Sequence, residues 1–149
     1  MIKIICVGKI KEKYLKEAIE DYKKRISKYT KIEIIEVQDE KVKEKALIVE
    51  AERIKKYIKE KEYVITLEIE GNKKTSKEMA DLVNEILIKN SNICFIIGGS
   101  YGLHKEIKER SNYNLSFSKL TFPHGLFRVI LLEQIYRTFK INNNETYHK

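Results

Sequence analysis

The chain has one proline, two cysteines and three histidines among its 149 residues, and each scarcity removes a class of function. No stretch approaches the roughly 18–20 uncharged apolar residues that cross a bilayer. The first segment, Met1–Gly8, carries Lys3 inside a short apolar run; it reads as a strand rather than a secretory leader. Cys6 and Cys94 lie far apart inside apolar, strand-like runs. Buried, reduced thiols are expected there, a disulfide is not, and the expected location is the cytoplasm. The histidines and cysteines show none of the spacings of a metal site, so no metal is expected. Neither G-x-G-x-x-G nor G-x4-G-K-[ST] occurs, which removes the dinucleotide and P-loop fingerprints. G-x-S-x-G is also missing and Cys94 is mid-strand, leaving a serine or cysteine nucleophile unsupported. No linker, repeat or low-complexity tract interrupts the chain, so residues 1–149 are expected to form a single domain.

What the chain has in abundance is lysine. The formal net charge is +8 and the pI about 9.3, which favours a polyanion partner. The basic residues are interleaved with glutamate along helices, however, and a solvated helix face explains them equally well. Strand and helix signals alternate. Strands are expected at Met1–Val7, Ile32–Val37, Tyr63–Ile69 (halted near Gly71), Ile93–Ile97 and Leu115–Leu120. Helices are expected at Lys11–Lys28, Val42–Lys61, from the Thr75–Glu78 capping-box pair to Asn90, at His104–Arg110 and from Pro123 to Phe139. In the first helix Tyr14, Leu15, Ala18, Ile19, Tyr22 and Ile26 form the apolar face; in the second, Leu47, Ala51, Ile54 and Ile58. The alternation predicts an α/β fold with a mainly parallel sheet and helices on both faces.

The last third carries the chemistry. An apolar strand runs into Gly98-Gly99-Ser100-Tyr101-Gly102, where ligands of open parallel sheets gather beyond the strand ends and where glycine lets backbone approach a ligand. A plain strand-to-helix turn is the alternative. The only proline, Pro123, opens the final helix, as suits a residue without an N–H. Leu126, Phe127, Val129, Ile130, Leu131, Leu132, Ile135, Tyr136 and Phe139 cannot all face one core, so that helix is expected to be buried on more than one side. In so small a chain this implies a partner subunit. Arg128 and Arg137 lie nine residues apart, two and a half turns, and so on opposite faces with separate roles. Arg128 suits an interface or a phosphate. The tail ends Tyr147-His148-Lys149; it reads either as a loose terminus or as a group that stacks on a base and touches phosphate. His124 reads as a satisfied structural histidine or a cofactor neighbour, and His104 as the opening of a surface helix.

The ordered set IGGSYG, LSFSKLTFPH, RVILLEQIYR and YHK resembles the ribosomal large subunit methyltransferase H family, over the whole chain. These are SPOUT-class enzymes that methylate N3 of a pseudouridine in large-subunit (23S) ribosomal RNA. The resemblance implies S-adenosyl-L-methionine as cofactor, a C-terminal trefoil knot, a homodimer, and the assembled ribosome as substrate. Residue by residue, it implies cofactor contacts at Leu67, Gly98, Gly99, Phe117, Ser118, Lys119, Leu120, Thr121 and Phe122. Arg137, Tyr147 and His148 are implied as catalytic, Arg128 and Lys149 as RNA-binding. Glu68 stands where many relatives have aspartate, and Lys149 where the family often has arginine, which weakens bidentate phosphate binding there. Two other classes remain open: a non-catalytic ribosome- or RNA-binding factor on the same fold, and a small-molecule nucleotide-binding α/β protein.

Overall fold

The structure is a computed structural model that describes every residue from Met1 to Lys149. Strands β1 (Ile2–Val7), β2 (Ile32–Val37), β3 (Tyr63–Lys73), β4 (Ile93–Ile97) and β5 (Tyr113–Ser116) alternate with helices α1 (Lys13–Ile26), α2 (Lys43–Lys55), α3 (Ser76–Lys89), α4 (Lys105–Arg110) and α5 (His124–Asn142). All ladders are parallel, in the order β2-β1-β4-β3-β5. Period-two alternation then divides the core. Ile2, Ile4 and Cys6 of β1 meet Leu15 and Ile19 of α1, Met79 and Val83 of α3, and Leu131 and Ile135 of α5. Ile5 and Val7 meet Ala51 and Ile54 of α2 and Ile107 of α4 on the other side. Helices therefore cover both faces, and the central strands β1 and β4 are buried along their whole length. Lys3, the charge inside β1, is satisfied in this interior by Glu62 at 2.7 Å and by the Tyr57 carbonyl.

Four elements depart from the sequence expectations, each for a local reason. α2 ends at Lys55, because Tyr57 and Ile58 bond three residues back, to Ile54 and Lys55, and tighten the last turn. β3 continues past Gly71. Leu67 and Asn72 both pair with Leu115, so residues 68–71 leave the ladder as a bulge. A Cβ at Gly71 would stand 2.9 Å from the Leu115 backbone, so only glycine lets β5 pass so close. β5 starts and stops early. The Asn112 side chain extends the pairing at its start by accepting from Val64 N–H at 2.8 Å. At its end Ser116 Oγ donates to the Ile69 and Ser118 carbonyls, drawing the chain into a turn.

The fourth departure concerns α5. It packs against α1 and α3, and its buried side chains join the larger core of the same chain. Burial on more than one side is real, but the chain supplies most of the cover that the sequence assigned to a partner. What stays open to solvent is Leu126 at 42% exposure and, on α1, Tyr14 at 68%; the latter had been placed on the core face.

Candidate functional site

A cleft of about 260 Å³ opens beyond the carboxyl ends of β3 and β4, where the topology of parallel sheets places ligands. Its floor is the turn after β4. A Cβ on Gly98 would lie 2.6 Å from the Gly102 carbonyl oxygen, and Gly102 itself has φ of +81°. Gly102 N–H closes the turn on the Gly99 carbonyl at 3.0 Å. The glycines are thus demanded by the turn, and they leave the cleft side bare.

One wall is β3, where Leu67, the last residue paired before the bulge, and Glu68, Ile69 and Glu70 within it border the cleft. Glu68 is fixed from below by Thr66 Oγ1 at 2.6 Å and by the Asn114 amide. Lys108 of α4 reaches Glu70 at 2.9 Å and Glu68 at 3.5 Å. Its hydrogen bond holds the Glu70 carboxyl below the ordinary carboxylate range, and the same bond raises the Lys108 ammonium. The opposite wall is aromatic. Phe127 of α5 stacks with Phe122 at 6.0 Å and meets Phe117 edge-on at 5.3 Å. Between the two phenylalanines the 118–121 loop is pinned by Ser118 Oγ, which accepts from Leu120 N–H at 3.0 Å.

Of the residues expected to contact a cofactor, Leu67, Gly98, Gly99, Phe117, Ser118, Leu120, Thr121 and Phe122 line this cleft; Lys119 does not. It is exposed. His124 also lines the cleft, exposed and without a hydrogen-bond partner, rather than serving as a satisfied structural histidine. Partial burial, and then the neighbouring Arg128 charge, lower its basicity. His104 instead caps α4, its Nδ1 accepting from Glu106 N–H at 3.0 Å. Sequence reasoning missed Glu70, Lys108 and Phe127. No motif marks the first two, which only the bulge brings together.

A second cluster forms at the far end of α5. Arg137 lies over the Tyr147 ring at 4.8 Å, contacts His148 Nδ1 at 3.0 Å, and bonds Glu133 through Nε at 2.8 Å and Nη2 at 2.5 Å. A guanidinium only donates, so His148 Nδ1 accepts and Nε2 carries the ring proton. The Glu133 bonds hold Arg137 above its ordinary basicity. The i,i+4 spacing of Glu133 and Arg137 was legible in the sequence. The tail is anchored: Tyr147 packs edge-on against Tyr136 at 5.0 Å, and Glu145 accepts from Tyr29 at 2.7 Å and Lys140 at 3.0 Å. Lys149 is exposed at the end of this tail. The three expected catalytic residues are therefore brought together, but away from the cleft. From Phe127 to Arg137 α5 rises about 15 Å.

Arg128 corrects an expectation. It lies on the opposite face of α5 from Arg137, but its side chain is only 3% exposed. The guanidinium holds Glu36 at 2.6 Å and the Gly8 and Val7 carbonyls at 2.7 and 3.3 Å. It ties α5 to the ends of β1 and β2 and has no free face for an RNA phosphate.

The family model described as Predicted SPOUT methyltransferase matches residues 1–148. A Clostridium novyi protein, ribosomal RNA large subunit methyltransferase H, is 54% identical over 99% of both chains. A Methanococcus maripaludis protein is 58% identical with the same coverage. Among solved structures, a probable methylase family protein from Haemophilus influenzae superposes with a TM-score of 0.61 at 16% identity, over 99% of this chain and 70% of that one; that likeness bears on the fold alone.

Proposed function

Since the chain belongs to the SPOUT methyltransferase family, we propose that it is a ribosomal RNA methyltransferase that uses S-adenosyl-L-methionine to methylate N3 of a pseudouridine in the large subunit, on the assembled ribosome. The observation that carries this reading is the convergence on one cleft of Leu67, the Gly98–Gly99 turn and the Phe117–Phe122 loop, from three separate stretches of sequence. The names of full-length relatives above 50% identity point the same way.

The cleft suits the cofactor chemically. Its glycine floor admits backbone-close approach, its aromatic and apolar wall suits an adenine, and Glu68 and Glu70 complement a cationic ligand. The residues that would hold it are Leu67, Gly98, Gly99, Phe117, Ser118, Leu120, Thr121 and Phe122. When bound, S-adenosylmethionine supplies a methyl group already activated by a neutral leaving group. The rest is positioning. N3 of a uridine-type base becomes a nucleophile only as its proton leaves, and solvent water takes that proton. Arg137, oriented by Glu133, donates to the ring carbonyls as negative charge develops. Tyr147 offers a stacking face, and His148 Nε2–H a second donor. Lys149 extends this surface toward a phosphate.

The distance along α5 between the cleft and the Arg137 cluster supports a homodimer, in which one subunit supplies the cleft and the other the Arg137 group. Tyr14 and Leu126, exposed on adjacent helices, suit such a contact. The trefoil knot belongs to the same reading. The chain runs from β5 at one edge back to Arg128 at the ends of β1 and β2, and so passes over the ends of β3 and β4.

The test is methylation of ribosomes from cells lacking this protein, with labelled donor, followed by nuclease digestion and mass mapping. One methyl group on N3 of a pseudouridine of the large-subunit RNA is expected. Transfer to another atom, or no saturable binding of S-adenosylhomocysteine, would overturn the proposal.

A further inference from the structure

Directly beneath the glycine turn, on the side away from the cleft, lies Glu50 of α2. It is 3% exposed. One oxygen, Oε2, accepts from Glu40 N–H at 2.9 Å and so holds the loop before α2. The other, Oε1, is buried with no partner. A Cβ at Gly99 would stand 3.0 Å from that bare oxygen and 2.9 Å from Val7 Cγ1. The unpaired acceptor therefore faces the backbone of the turn that floors the site. The turn, for its part, has unused donors: neither the N–H nor the hydroxyl of Ser100 bonds to a protein acceptor, and Ser100 lines the cleft.

A buried acceptor left bare is destabilising, and a carboxylate more so than a neutral group. An anchor for Glu40 N–H needs only one oxygen, so anchoring alone does not account for a carboxyl here. In the empty cleft the Gly99–Ser100 peptide is held through its carbonyl, which accepts from Gly102 N–H at 3.0 Å, while its N–H has no protein acceptor; turning it over exchanges the Gly102 bond for one to Glu50 Oε1. Gly99 has no side chain to oppose rotation of the peptide that follows it.

We propose that Glu50 is the positioning residue of the cofactor site: when ligand fills the cleft, the Gly99–Ser100 peptide gives up its carbonyl bond to Gly102 N–H, turns its own N–H onto Glu50 Oε1 and fixes the turn around the ligand. This rests on the methyl-donor reading of the cleft. The charged groups facing Glu50 are Asp39 and Glu40 from the loop before α2, and Arg53 one turn along α2; β1 and the glycine turn present none. With the cleft empty, burial holds the carboxyl above the ordinary carboxylate range, and the Glu40 N–H only partly offsets this. A new N–H bond to the ionised form lowers it again. Ligand binding then releases a proton in the window above the ordinary carboxylate value, and affinity rises with pH across that window.

Calorimetry of the full-length protein with S-adenosylhomocysteine tests this, in two buffers of different ionisation enthalpy and across mildly acidic pH. Wild type is expected to release a fraction of a proton. Glu50→Gln keeps the shape and the Glu40 bond but turns an NH2 toward the turn. It is expected to bind about tenfold more weakly, to lose the buffer dependence, and to keep its unfolding midpoint. Wild-type affinity and wild-type proton release in Glu50→Gln would overturn the inference. So would a loss of affinity that merely tracks a lowered unfolding midpoint. No saturable heat from wild type itself would remove the methyl-donor reading and this inference with it.

Discussion

Replacing Arg128 by methionine separates a structural arginine from an RNA-binding one. The guanidinium is 3% exposed and holds Glu36 at 2.6 Å and the Gly8 carbonyl at 2.7 Å. Removing one partner of a fully buried ion pair costs about 3–5 kcal/mol. Here the Glu36 side chain is 37% exposed and rehydrates, while methionine preserves the apolar burial of the arginine stem. The carbonyls of Val7 and Gly8 still lose a charged donor. These terms together give a destabilisation of about 2–3 kcal/mol. For a chain of this length that lowers the thermal midpoint by about 5–10 °C. The assay pairs thermal unfolding with ribosomal RNA binding at several salt concentrations. A folded but less stable variant is expected, with the salt slope of wild type. An unchanged midpoint with a slope shallower by about one unit would mean that Arg128 neutralises a phosphate, and would refute its placement inside the fold.

Other outcomes follow from particular contacts. Arg137→Lys keeps the charge but loses the planar fork that bonds Glu133; methyl transfer should fall by about 100-fold or more, while S-adenosylhomocysteine affinity, read by calorimetry, stays within about threefold. Abolished cofactor binding would instead place Arg137 in the cleft. Thr75→Ala removes a capping box in which Thr75 Oγ1 accepts from Glu78 N–H at 3.1 Å and Glu78 accepts from Thr75 N–H at 2.8 Å; urea unfolding should register a loss of about 1 kcal/mol. Burial pushes the Cys6 and Cys94 thiols up to about 12 from an ordinary 9.0. Between those values the unfolded chain holds fewer protons than the native one. Stability should therefore fall as pH rises from about 9 toward 12, by about 1.4 kcal/mol per pH unit per thiol, and Cys94→Ala should flatten the slope measured by urea titration.

The alternation of β1–α5 and the parallel, two-faced sheet were legible because hydrophobic period and turn residues are local properties of a chain. The match at β2 and β4 is to the residue. The capping box of α3 was equally local. So was the placement of Arg128 and Arg137 on opposite faces, which follows from helix pitch alone. The glycine turn was legible as a ligand site because an apolar strand runs straight into it; Leu67 and the 117–122 loop came from a family resemblance, and the structure brings all of these to one cleft except Lys119.

Tertiary structure decided what depends on which strand lies beside which. Glu70 and Lys108 meet only because residues 68–71 bulge where Leu67 and Asn72 share one partner, a register that neither strand announces. α5 reads as too apolar for one chain, yet it finds α1 and α3 on either side, since sheet order and not composition sets its neighbours. Glu50 fell outside the apolar stripe read along α2 because it is a charge; only the close approach of Gly99 reveals it as a buried acceptor without a donor. Arg128 reads as an interface or phosphate contact, and becomes an internal clasp because β1 and β2 end against α5. Sequence determines periodicity and chemistry along the chain; distances between remote residues arise only when the sheet sets its register.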